Sequence, residues 1–176
     1  MGIHITEVIG PHCDLDRLRT YIQLRTPQQM WKEAELANVN PNHVLNCADA
    51  LHMFLNAEDH AIALYAGALR RIEDDPELAE PETNVMGSWV NLFMALSWRG
   101  RTTAAIQAYA KATELGFQDP QARLLVATHL HALGRFTEAL NMIDTVLGTS
   151  EEASVPPSMK TVALQRRTEL MKKLRS

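Results

Sequence analysis

Strand-forming patterns are nearly missing from this 176-residue chain: few segments alternate apolar with polar residues, which excludes a β-rich fold. Cysteine is scarce as well. Cys13 and Cys47 are the only two, so there is no disulfide framework and a reducing compartment is expected. No apolar run has the length needed to cross a bilayer, and the opening residues lack the charged-then-apolar order of a secretion signal. The expectation is a cytoplasmic protein with no membrane partner. Surplus positive charge is lacking too: the formal net charge is -4, which argues against a nucleic-acid partner, because phosphate contacts require a concentrated basic face. No Gly-rich phosphate loop, nucleophile elbow or paired zinc-ligand motif occurs, so neither enzymatic activity nor a cofactor is expected. His129 and His131, two apart, point to nearly opposite sides of a helix, and His43 with Cys47 gives only two ligands; no metal site follows.

What the chain does have is helical spacing throughout. Apolar content of 46% with 22% charged residues is a globular composition, and the length suits one domain. Asp14 is placed to cap a helix with the stripe Leu15, Leu18, Ile22. Thr26-Pro27 supplies a cap and first-turn proline for a second helix through Met30, Trp31 and Ala34, and Asn40-Pro41 opens a third through Val44, Leu45, Ala48 and Leu51. Two charge runs stand out. Glu73, Asp74, Asp75, Glu77, Glu80 and Glu82 crowd the middle, and Lys160, Arg166, Arg167, Lys172, Lys173 and Arg175 crowd the end; both are expected to be solvated surface.

The stretch WRGRTTAAIQAY from Trp98 reappears as ALGRFTEALNMI from Ala132, 34 positions later, with the Gly-Arg pair, a Thr and an Ala-aliphatic pair in register. A fainter copy, DHAIALYAGAL, starts at Asp59. Across the three, Asp59, Thr103 and Thr137 are expected to cap. Ala61, Ala105 and Ala139 leave room where helices approach closely, and Tyr65, Tyr109 and Ile143 fill the space one turn later. Ala68, Ala112 and Val146 admit the next helix. Gly100, Gly134 and Asn56 stand where a preceding helix must stop in the left-handed conformation. The pattern predicts helix, tight turn, helix, repeated.

That spacing, with Trp89, Leu92, Gly100, Ala105, Tyr109 and Ala112 in the best copy, resembles the tetratricopeptide repeat. The resemblance implies an all-α, right-handed superhelix of antiparallel helix pairs in a single domain. Repeats would run over 42–75, 86–119 and 120–153, with an insertion at 76–85, N-terminal helices over 1–41 and a capping helix over 154–176. The copies depart from the family pattern at several places. Leu45 and Arg123 stand for its early Trp, Asp49 and Phe93 occupy a usually small position, and no proline closes any repeat.

In this family the first helix of each repeat lines a concave groove. Carried onto this chain, the groove positions expected to bind a partner are Asn46, Met53, Phe54, Val90, Asn91, Met94, Trp98, Leu124, Leu125, Thr128 and His131. The family's cationic clamp for a terminal carboxylate is missing, since its positions read Asn46, Gln121 and Leu125. What remains is largely apolar, and the expected partner is an apolar or amphipathic segment of another protein. The plan is similar to chaperones of type III secretion; a scaffold or adaptor subunit of a larger assembly, or a homodimer, is the alternative.

Overall fold

The structure is a computed structural model that describes residues 3–148 and 155–175. Among the described residues it is all-helical: α1 (Leu15–Leu24), α2 (Pro27–Leu36), α3 (Pro41–Met53), α4 (Glu58–Asp74), α5 (Val85–Trp98), α6 (Thr102–Glu114), α7 (Pro120–Ala132), α8 (Phe136–Gly148) and α9 (Pro157–Arg175), with single 3-10 turns at Ile5–Glu7 and Pro76–Leu78. The expected start signals are used. The Asp14 carboxylate accepts from the Asp16 and Arg17 amides at 3.0 and 3.1 Å, Thr26 and Gln29 form a reciprocal capping box, and Asn40 accepts from Asn42 at 2.9 Å. The stop signals are used as well. Gly100 and Gly134 have φ of 66° and 73°, and Asn56 has φ of 49°. Around both glycines the same two bonds close the preceding helix: Gly100 to Ser97 at 3.0 Å and Arg101 to Leu96 at 2.9 Å, then Gly134 to His131 and Arg135 to Leu130, each at 2.9 Å. The repeated Gly-Arg pair is therefore one turn geometry written twice.

The chain divides into two compact units, 1–101 and 102–176, the division falling within the stretch read as the second repeat. In the first unit α4 is the hub, against which α2, α3 and α5 pack. Ala61, Leu64, Tyr65, Ala68 and Leu69 of α4 are fully buried, together with Leu18, Met30, Val44, Leu51 and Phe93. Small residues on α4 permit close approach: a Cβ added at Gly67 would sit 2.4 Å from the Trp31 ring, so glycine is what lets that indole lie against the helix. In the second unit α7 and α9 both pack on α8, and α6 packs on α7. Ala105, Ala112, Ala139, Ile143, Val146, Ala163 and Leu170 form its interior. The small-then-large pattern thus marks buried positions in every copy. The end of the third repeat, through Ala153, lies outside the described residues.

Two expectations are corrected, and a third gains a detail. Asp59 caps nothing, because α4 begins one residue earlier without a side-chain cap, and the carboxylate instead accepts from Arg99 at 2.6 Å and Arg101 at 2.8 Å. Thr103 and Thr137 likewise lie inside the first turns of α6 and α8. The acidic residues of the middle run are exposed, as expected, while residues 78–83 that carry the last of them are fastened to the start of α3. Asn42 donates to the Leu78 carbonyl at 2.8 Å and accepts from the Glu80 amide at 3.2 Å and from Thr83 Oγ1, while Asn40 donates to Glu80 at 2.8 Å. The basic end is not wholly in water. Arg167 pairs with Asp144 at 2.7 Å, and Arg166 reaches α7, as described below.

Because alanine at φ near +70° carries the left-handed penalty, Gly100→Ala and Gly134→Ala are each expected to lower stability by about 1–2 kcal/mol in urea denaturation. Gly10→Ala, with open space around its Cβ, should leave the midpoint within a few tenths of a kcal/mol.

Candidate functional site

The groove positions of the first unit lie on α3 and α5, which are brought side by side by two contacts. Asn91 of α5 donates to Asp49 of α3 at 2.9 Å, and farther along both helices the Trp98 indole stacks on the His52 ring at 4.9 Å. The two helices therefore run in the same direction. Asp49 is the pivot, since it also accepts from the hydroxyl of Tyr65 on α4, a side chain with no exposed surface. Burial and the hydrogen bond to that carboxylate push the phenol well above its usual range, so Tyr65 stays a neutral donor. Asn91, expected to meet a partner, spends one amide donor on this structural bond.

Away from the pivot the face has two characters. Near the start of α3, Asn46, Asp49 and Asn91 share a cavity of about 240 Å³ with Glu80, Glu82 and Thr83, a polar recess carrying three carboxylates. Near its end, Met53, Phe54 and Trp98 are 64%, 65% and 61% exposed. Val90 and Met94 are half-buried between them in chain order. His52, beneath the Trp98 ring, is 8% exposed and its Nδ1 has no hydrogen-bond partner. The Trp98 indole is thus held over a buried imidazole and still offers most of its surface to solvent.

In the second unit Leu125 and Thr128 are half-buried, and His131 is exposed with its ring 5.4 Å from Phe136. Leu124 is only 8% exposed, which corrects its reading as part of an exposed path. The reason is α9. Its Ser158, Met159, Val162 and Arg166 join Gln121, Leu124, Leu125 and Thr128 around a predominantly apolar cleft of about 350 Å³. Arg166 crosses toward α7, donating to Thr128 Oγ1 and to the Leu124 carbonyl at 3.3 Å. The last helix therefore lines the site as well as covering the unit's end. Sequence reasoning missed these α9 residues because it assigned that helix to capping alone; Met159 and Val162, apolar and three apart, were the available signal. It also missed Asp49 as the pivot, although a carboxylate at a usually small repeat position was visible.

No group of three or more His, Cys, Asp or Glu able to hold a metal occurs among the described residues. No described helix is long and apolar enough to cross a membrane. No family model matches the chain, and no curated protein is similar to it beyond chance. The class that the fold defines is an all-helical array of helices packed in consecutive pairs.

Two outcomes follow. Asp49→Ala should cost about 1–3 kcal/mol by leaving Tyr65 and Asn91 unpaired, and adding Tyr65→Phe should recover part of that loss in a double-mutant cycle read by denaturant titration. His129 of α7, whose burial lowers its pKa below the ordinary 6.5, takes up a proton more readily in the unfolded chain. Stability should therefore be complete above about pH 6.5 and fall as the pH drops through that value, and His129→Gln should flatten this limb in thermal melts across pH 5–8.

Proposed function

We propose that this chain is a non-enzymatic protein-interaction module that holds an amphipathic segment of a partner protein. The observation that carries the reading is the cluster of Met53, Phe54 and Trp98, each more than three-fifths exposed at the adjoining ends of α3 and α5. Large apolar side chains gathered at one place on a folded surface mark an interaction site, whereas scattered ones need no explanation. Methionine adapts to varied side chains, and tryptophan supplies large rigid contact area. The acidic recess beside them suits a partner segment with a basic residue at one end and an apolar face at the other. The apolar cleft between α7 and α9 is a second surface of similar chemistry.

In this reading the helix pairs belong to the tetratricopeptide class. The turn geometry shared by Gly100 and Gly134 and the buried alanines of the repeat support that assignment. A chaperone sheltering a client before export, as in type III secretion, is the form of the activity that the size and the apolar surface favour, and the cytoplasm is its compartment. Sheltering would act by covering the client's apolar face, which otherwise drives self-association.

One observation favours an adaptor instead. A cavity of about 570 Å³ lies between α2 and α4, lined by Trp31, Ala63, Ala66, Gly67, Arg70 and Arg101 among others. A partner docked there would use none of the groove residues.

The test separates the two. Met53→Glu with Phe54→Glu, both on exposed side chains, should leave the circular dichroism spectrum and melting temperature unchanged while weakening binding of the native partner at least about tenfold, since burying each side chain contributes about 1.5–3 kcal/mol. Partner yield would be read by quantitative mass spectrometry of tagged chain recovered from its own cell. Undiminished recovery of the same proteins overturns the groove reading; loss with Ala66→Trp in its place points to the adaptor.

A further inference from the structure

We propose that the polar recess between α3, α5 and residues 80–83 is a binding site for the guanidinium group of an arginine in the partner segment. The inference rests on the reading of this chain as an interaction module and names what the recess takes. Positions 42, 45, 46 and 49 of α3 line one wall, and positions 87, 88 and 91 of α5 line another, each set on one side of its helix. The third wall is fixed by Asn42, which holds the Leu78 carbonyl, the Glu80 amide and Thr83 Oγ1. The recess is therefore shaped by bonds internal to the fold, before any ligand arrives.

The acceptors in it are unfilled. Asp49 receives both Tyr65 and Asn91 at Oδ1, which leaves Oδ2 without a partner among the described residues. Glu82 makes no hydrogen bond or ion pair there, and Glu80 gives one oxygen to Asn40. No lysine, arginine or histidine is among the described residues that line the recess, so three negative charges stand together without a cation. Ser88 points to a ligand independently of these carboxylates. It is 6% exposed, its register three residues before Asn91 turns it toward the recess, and its hydroxyl has no hydrogen-bond partner among the described residues. A polar group so enclosed ordinarily has one.

The kind of cation follows from how the acceptors are spread. No three acidic side chains among the described residues converge closely enough to hold a metal ion, so a point charge does not suit the recess. A guanidinium presents five N–H donors in a rigid planar fork and can reach acceptors that stand apart, whereas an ammonium concentrates three donors at one atom. The cavity of about 240 Å³ is below the range of about 300–1,000 Å³ usual for whole small-molecule ligands and suits a single side chain.

The probe is N-acetyl-arginine N-methylamide, titrated into the isotope-labelled full chain while the amide resonances of Asn46, Ser88 and Asn91 are followed by NMR. Saturable shifts are expected, with a dissociation constant of about 1 mM. Glu82→Gln and Ser88→Ala remove side-chain groups that bond to nothing else in the fold, so each should keep the spectrum otherwise intact and weaken binding at least about fivefold. The matching citrulline derivative, neutral and of the same length, should leave the resonances in place, and the lysine derivative should bind at least about fivefold more weakly. Free arginine, whose own carboxylate meets the acidic recess, should also bind more weakly than the capped form. Shifts that never saturate, equal binding of the lysine derivative, or undiminished affinity in both variants would each overturn the proposal. Tighter binding of free arginine would overturn it as well, by making the ligand a small molecule and not a partner side chain. The probe has no apolar segment, so Met53→Glu with Phe54→Glu should leave its affinity unchanged, and failure of the apolar-cluster reading remains distinguishable from failure of this one.

Discussion

The structure depends on close approach between helices too short to stand alone. Helices of 10 to 19 residues are marginal in water, and their stability comes from burying one face against a neighbour. The approach is set by alanine. Ala61, Ala68, Ala105, Ala112 and Ala139 have no exposed surface, and each is followed or preceded by a large buried side chain such as Tyr65, Leu69 or Ile143. Gly67 extends the principle to an aromatic neighbour, because only a missing Cβ admits Trp31. Enlarging any of these positions would push a helix outward and open a void beside it, which is why the repeat keeps the small-large order while its exposed positions vary freely.

Close approach also requires that helix ends consume their own hydrogen-bonding groups, and the chain does this by local means. Carboxylate, hydroxyl and amide caps at Asp14, Thr26, Asn84 and Asp119 serve the starts, and left-handed turns at Gly100, Gly116 and Gly134 serve the ends. These devices are legible in a sequence because they act over two to five residues. The misreadings share the opposite property. Asp59 looks like a cap until arginines 40 and 42 residues away claim it. Arg166 looks like surface until Thr128 and the Leu124 carbonyl receive it. A bond formed across 40 residues leaves no periodic trace.

The candidate surface divides along the same line. Met53, Phe54 and Trp98 were legible because helix register and a known stop position place them outward, and the stacking of Trp98 on His52 leaves its indole mostly exposed. Leu124 was misjudged because its exposure is decided by α9, and the bond from Asn91 to Asp49 left no trace in the sequence. In repeat architectures, a residue that departs from the consensus is the useful signal for such long bonds. Asp49, at a position that the resemblance leads one to expect small, is the carboxylate on which α3, α4 and α5 converge.

That convergence explains how the first unit can keep large apolar side chains in water without losing its shape. Asp49 is held by Tyr65 from below and engages Asn91 alongside, so α3 and α5 are locked in register by directional bonds at their middle, independently of what happens at their ends. Trp98 is steadied by the His52 ring and so needs no deeper burial to stay ordered. An apolar cluster on a mobile scaffold would collapse onto itself, and one buried in the core could touch nothing else. A rigid polar pivot in mid-helix with the apolar group at the helix ends avoids both, and such preorganisation lowers the ordering cost that a binding surface otherwise meets on contact.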